Sequence, residues 1–170
     1  MKKGDLLFLE RAFYDEVFKM RWSYYLLNCP PCLDINKIEE DRIIFDDHFV
    51  AFLTHVRILY IFFNNEISES KEGVEAKIED YIDNWTIVNP WSKMKSLYLQ
   101  INSHLSHLDY SRVEDKNQLI YESENIYKNF REIIVNFLND LSKINHLTKR
   151  LKELLQDLEQ EIKKDPWRKP

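Results

Sequence analysis

The sequence predicts an all-α protein, an up-down bundle of four to five main helices in a single domain spanning residues 1–170. Three observations predict it. There are only two glycines, Gly4 and Gly73, and the five prolines gather at Pro30, Pro31, Pro90, Pro166 and Pro170. A sheet protein of this size needs many tight turns, and turns draw on both residue types. Between Lys93 and Asp165 neither occurs, so no strong breaker interrupts a helix there. Finally, the apolar residues recur at steps of three and four, the helical period. With 44% hydrophobic residues the chain has ample material for one core.

The first helix is expected over about Asp5 to Asn28, with Asp5 as N-cap. Its buried face is Leu6, Leu9, Phe13, Val17, Met20 and Tyr24. Cys29-Pro30-Pro31 ends it, because a residue before proline avoids the α region. Asp34 caps the second helix, which runs to about Asn65. Phe45, Phe49, Phe52, Val56, Leu59 and Phe63 form its stripe, and Leu53, Ile58, Tyr60, Ile61 and Phe62 widen it. A helix apolar on most faces belongs at the centre of a bundle. Glu66 to Val88 reads as a loop and a short helix with Val74, Ile78, Tyr81, Ile82 and Trp85 on one face.

Ser92 caps the third main helix, whose stripe is Leu97, Ile101, Leu105 and Leu108. Asp109 to Asn117 is polar and read as a turn. From Gln118 a long amphipathic C-terminal element carries Phe130, Ile133, Phe137, Ile144, Leu147, Leu151, Leu154 and Leu158, with Asp140 the one polar exception. Unbroken to Lys163, it would be roughly 70 Å long at 1.5 Å per residue. It therefore either breaks near Ser142–Asn145 or projects over about 144–165 as a coiled coil. A stripe this long predicts a homodimer, or a protein partner on the last helix.

Composition narrows the functions. A net charge of −5 argues against a general polyanion binder. No apolar run spans a membrane, and the charged start is no signal peptide, so a cytoplasmic protein is expected. Cys29-Pro30-Pro31-Cys32 reads as a stiff turn with two small packing residues, since a helix, not a strand, precedes it. Asn84-Trp85-Thr86 is a sequon without a secretory setting. No phosphate loop, dinucleotide fingerprint or nucleophile elbow occurs, and no cofactor is expected. Trp85 and Trp91 flank Pro90 as packing anchors rather than as a base-stacking platform.

The candidate chemistry lies in the histidines. His48 and His55 flank the Phe49/Phe52/Val56 seam of the second helix, and His104 and His107 are neighbours on the third. Arg57 and Arg112 stand close in sequence. One reading makes these histidines half-buried border residues of the core. The other makes a polar pocket between the second and third helices, able to do acid–base work near neutral pH. His55, His104 and His107 could also supply three zinc ligands, but no histidine has glutamate three residues before it, so the di-iron pattern is absent and no metal is assigned.

The segments Phe52-Leu-Thr-His-Val-Arg-Ile-Leu-Tyr-Ile-Phe-Phe63, Asp80-Tyr-Ile-Asp-Asn-Trp85 and Ile101-Asn-Ser-His-Leu-Ser-His-Leu-Asp-Tyr-Ser-Arg112 resemble those of a group of small bacterial helical proteins similar to HEPN-type bundles. The resemblance spans about residues 52–112. It implies a HEPN-like bundle, RNA as ligand or substrate of a metal-independent ribonuclease, a defence or toxin–antitoxin setting, and a dimer. His107 corresponds to the family's histidine. Asn102 stands five residues before it, where the family signature carries arginine, and the arginine follows at Arg112. On this reading His104 or His107 is the acid–base, and Arg112 or Arg57 holds phosphate. The alternative is a non-catalytic interaction or scaffold protein with structural histidines.

Overall fold

The computed structural model describes residues 6–28, 38–64, 77–87, 94–106 and 111–164, the side chains of 8, 38–45, 106, 111–118, 120 and 121 excepted. The expected caps Asp5, Asp34 and Ser92, the Cys-Pro-Pro-Cys turn, Trp91 and Leu108 lie outside the described residues. Among the described residues there are five main helices and no strand. The chain is all-α, as its composition predicts.

Helix α1 comprises Leu6–Phe8, a π-helical turn at Leu9–Phe13 and Tyr14–Asn28, in unbroken succession. The sequence explains the wide turn. Leu9, Phe13 and Val17 are spaced by four, and each four-residue step on an α-helix drifts by about 40°. A turn with i→i+5 bonding absorbs that drift. Leu9, Phe13, Val17 and Met20 are all buried in consequence. Helix α2 (Ile38–Phe63) returns antiparallel to α1: Phe13 meets Phe62 with ring centroids 5.1 Å apart, and Tyr24 meets Phe52 at 5.9 Å. It is the central helix, as its near-continuous apolar surface predicts.

Of the loop and short helix expected over Glu66 to Val88, Val74 lies outside the described residues, and the described residues 77–87 form a 3-10 turn at Ile78–Asp80. Its apolar positions still point inward, since Ile78, Tyr81 and Trp85 are buried. Asn84 adopts a positive φ of 56°, which asparagine tolerates and which ends regular winding. Helix α3 (Met94–Ser106) packs on α2 through Tyr60 and Tyr98, stacked at 4.6 Å. Helix α4 (Ser111–Lys143) starts seven residues before the expected Gln118. Its first turns are polar, so they gave no periodic signal, but nothing in them forbids a helix.

The long C-terminal stripe is divided, and of the two alternatives the chain takes the break. Helix α4 ends in a Schellman motif. His146 N–H donates to the Leu141 carbonyl at 3.0 Å and Asn145 N–H to that of Ser142 at 3.1 Å. Asn145 carries the left-handed residue of that motif, φ 56°. Thr148 then caps α5 (Lys149–Lys164), its Oγ1 accepting from Leu151 N–H at 3.4 Å. Helix α5 folds back along α4 instead of projecting, and buries Leu151, Leu154, Leu158 and Ile162. Most of the stripe that suggested a dimer is thus covered by the chain itself, with Ile144 left exposed at the break. Asn145→Ala is expected to cost about 1 kcal/mol, from the left-handed backbone of a Cβ-bearing residue without a polar side chain. Asn145→Gly should stay within about 0.5 kcal/mol of the parent, and equal melting temperatures for all three would refute this account of the break.

Asp140, the polar exception in the stripe, has a local reason. Its Oδ2 accepts the Trp85 indole N–H at 3.0 Å and its Oδ1 pairs with Lys143 at 2.7 Å. The carboxylate therefore anchors the 77–87 segment to the end of α4.

Candidate functional site

Of the candidate histidines, His55 and His104 turn to different neighbours. His55 Nδ1 lies 2.6 Å from Glu16 Oε2, so it faces α1. His104 is 2% exposed, on α3, with its ring edge-on to Phe49 at 5.6 Å between centroids. Arg57 is half-buried. On the helical wheel it lies about 160° from His55 and about 60° from Tyr60, the residue stacked on α3. The His-x-Arg segment thus sends its two side chains to opposite flanks of α2.

Asn102 Oδ1 and Arg57 Nε are buried atoms without a hydrogen-bond partner among the described residues. Arg112 belongs to the first turn of α4, but its side chain lies outside the description, and His107 lies outside the described residues altogether. His48 is half-buried. Among the described residues no group of three or more His, Cys, Asp or Glu side chains could hold a metal ion. No described helix is long and apolar enough to cross a membrane.

Sequence reasoning missed two other constellations. The first joins α1, α4 and α5. Arg21 donates through Nη2 to Glu161 Oε1, and Tyr127 Oη donates to Glu161 Oε2 at 2.6 Å. Tyr24 stacks on Tyr127 at 4.1 Å and Arg131 lies 5.8 Å over the same ring. Burial pushes the Tyr127 and Tyr25 hydroxyls above the ordinary tyrosine range, and the Glu161 carboxylate adds to it. Burial works against the charge of Arg21, but Glu161 outweighs it and raises that pKa. This is a lock: one carboxylate on α5 is held by groups from two other helices. Arg21 and Glu161 are 140 residues apart, so no spacing rule could find them.

The second constellation is an aromatic stripe on the outer face of α1. Tyr14, Phe18 and Trp22 follow at steps of four, with Tyr14 half-buried against the core and the other two turned outward. Tyr14 and Phe18 are stacked at 6.2 Å with planes 9° apart, and Phe18 and Trp22 at 6.4 Å with planes 8° apart. Phe18 is 47% and Trp22 57% exposed, and the exposed Tyr25 continues the row. Arg150 closes one end, its guanidinium 3.7 Å from the Tyr14 ring centroid and 3.2 Å from Asp15 Oδ1. The four-residue spacing was legible; the solvent exposure was not. Elsewhere, a mixed polar and apolar cleft of about 310 Å³ between α4 and α5 is lined by Glu132, Val135, Asn136, Glu159, Ile162 and Lys163. No histidine lines it.

No family model matches the chain, and neither the curated proteins nor the solved structures contain a match to it.

Proposed function

We propose that this chain is a non-catalytic interaction protein whose histidines serve the bundle and whose partner docks on the aromatic face of α1. The observation that carries the reading is the mutually stacked row Tyr14–Phe18–Trp22, in which Phe18 and Trp22 are exposed. Burying one such side chain is worth roughly 1.5–3 kcal/mol. Single exposed apolar residues are ordinary, but a contiguous patch on one helix marks an interaction site. Aromatic residues are also what interfaces concentrate at their centres. The histidines support the same reading from the other side: His104 is enclosed against Phe49, and His55 is engaged by Glu16.

Two assays test it. Wild type incubated with mixed RNAs, with and without EDTA, is expected to cleave none of them. A photo-crosslinking amino acid at position 18, introduced in cells, is expected to give discrete protein adducts. The same group at position 99, where Leu99 is 60% exposed on α3, should not. RNA cleavage that disappears in His107→Ala would establish the HEPN-like nuclease instead. Equal adducts from positions 18 and 99 would remove the docking face.

A further inference from the structure

We infer that the break between α4 and α5 is a hinge, and that two copies of this chain exchange α5 across it, forming a dimer in which α4 and α5 run as one continuous helix. Phe130, Phe137, Ile144, Leu151 and Leu158 recur every seven residues, and Ile133, Leu147 and Leu154 stand three places after Phe130, Ile144 and Leu151. Seven residues are nearly two helical turns, so these side chains keep one phase before and after the break. A hairpin does not need that. Its turn resets the phase, and α5 could bury its apolar face from another register. A continuous helix does need it, because α4 of one copy and α5 of the other then pack antiparallel along a single seam. Ile144 carries the same sign locally: it belongs to the seam, yet at the break it is 41% exposed. In the exchanged form it is helical, and the two-fold axis sets it against Ile144 of the other copy.

The hinge is weakly held. Residues 144–148 contain neither Gly nor Pro, so each of them can enter a helix. The left-handed residue is Asn145, φ 56°, where glycine would hold the turn with less strain. What fixes α5 to the rest of the chain can be remade between copies. Leu151, Leu154, Leu158 and Ile162 fill the same groove, Glu161 accepts from Arg21 and Tyr127, and Arg150 pairs with Asp15, each across two chains. The α1 face is reproduced in both halves, with Arg150 over Tyr14 supplied by the other copy. The cations beside the hinge are already matched. Lys143 pairs with Asp140 at 2.7 Å and Lys149 with Glu153 at 3.9 Å, and both pairs lie within one helix before and after the exchange. The dimer thus keeps the contacts of the monomer and differs at the hinge. Two left-handed asparagines are released, against the entropy lost on association, so concentration decides the balance.

Sedimentation of the full chain, refolded from urea at low and at high concentration, tests the exchange. A monomer is expected at low concentration and a growing dimer fraction at high. Each dimer opens two hinges, so a hinge substitution counts twice. Asn145→Ala favours helix and disfavours the left-handed region, and should raise the dimer association constant at least about tenfold. Asn145→Gly should lower it. Charge reversal reads the exchange itself. Arg21→Glu and Glu161→Arg each set like charges together, as a monomer or in a dimer of their own kind. Refolded as a mixture, the two variants restore opposite charges in both halves of a heterodimer, but only where α5 has changed places. The mixture is therefore expected to give more dimer than either variant alone. A monomer at every concentration, in wild type and in Asn145→Ala, overturns the inference. So does a dimer of equal yield in Asn145→Ala and Asn145→Gly, or a mixture no better than its components, since the copies would then meet through another surface. Should the charge variants fail to fold even when mixed, the two Asn145 variants decide.

Discussion

Phe137→Ala is expected to lower the stability of the folded chain by about 3–5 kcal/mol, the range for emptying an aromatic core position. Phe137 is fully buried on α4. Its ring meets Phe13 of α1 at 5.3 Å, Phe62 and Phe63 of α2 at 5.6 and 5.7 Å, and Trp85 at 5.9 Å. All four are edge-on, the geometry favoured by the ring quadrupole, and each such pair adds about 0.5–1.5 kcal/mol beyond its buried area. Three helices and the 77–87 segment converge on this one side chain, so the void cannot close by a single rotamer change. Urea unfolding followed by circular dichroism should show a lower midpoint at constant slope. Amide exchange should quicken in residues 78–85, because Trp85 loses its support. Phe18→Ala, on the exposed face, is the control and should stay near the roughly 0.5 kcal/mol typical of surface changes. A loss under about 1 kcal/mol in Phe137→Ala would mean that the aromatic cluster is not what holds α1, α2 and α4 together.

What was readable in the sequence and what was not follows from the range of each interaction. The fold class rested on glycine scarcity and on apolar spacing, and both are local properties of the chain. Leu9, Phe13, Val17 and Met20 could be assigned to the core because side chains on one helical face share one environment. The break at residues 144–148 was one of two foreseen outcomes, and a length argument alone could not choose between them. The choice lies in Asn145, which accepts a left-handed backbone, and in Thr148, which starts a new helix. The wide turn at Leu9–Phe13 was missed because repeated four-residue steps also occur on plain α-helices.

The site was less legible for a different reason. Periodicity placed His104 at the core edge, and the structure buries it more deeply than that. Periodicity could not show that His55 turns to Glu16 on α1, because the two are 39 residues apart. Asp140 was visible as an exception in its stripe, but its partner Trp85 is 55 residues away. Charged residues that look like a solvated helix face can be half-buried once another helix lies over them. Glu161 read as one of the alternating charges of the last helix, yet it holds Arg21 and Tyr127.

That misread carboxylate gives the second large expected effect. Glu161→Gln should cost about 2–4 kcal/mol, a little below a fully buried pair, because Arg21 and Glu161 keep 16% and 18% of their side-chain surface exposed. The loss arises because Arg21 stays charged and largely desolvated without its counter-ion. Replacing both together, Arg21→Met with Glu161→Met, should therefore recover part of it, since apolar pairs of similar volume often match a buried ion pair. The tyrosines add a pH dependence with a definite sign. Tyr127 and Tyr25 hold their protons more tightly in the folded state than the ordinary value of 10.0. Above that value the unfolded chain releases protons that the folded chain keeps, so unfolding gains and stability falls as pH rises. Below about pH 10 the contribution is complete. Wild-type stability should accordingly decline from about pH 10 upward. Tyr127→Phe loses its hydrogen bond to the carboxylate, worth about 1.5–3 kcal/mol at neutral pH, and should show a shallower alkaline decline because one of the two titrating hydroxyls is gone. Unfolding curves between pH 7 and about pH 11 would decide it: parallel alkaline slopes for wild type and Tyr127→Phe would mean that Tyr127 ionises as freely in the fold as out of it, and that Glu161 does not grip its hydroxyl.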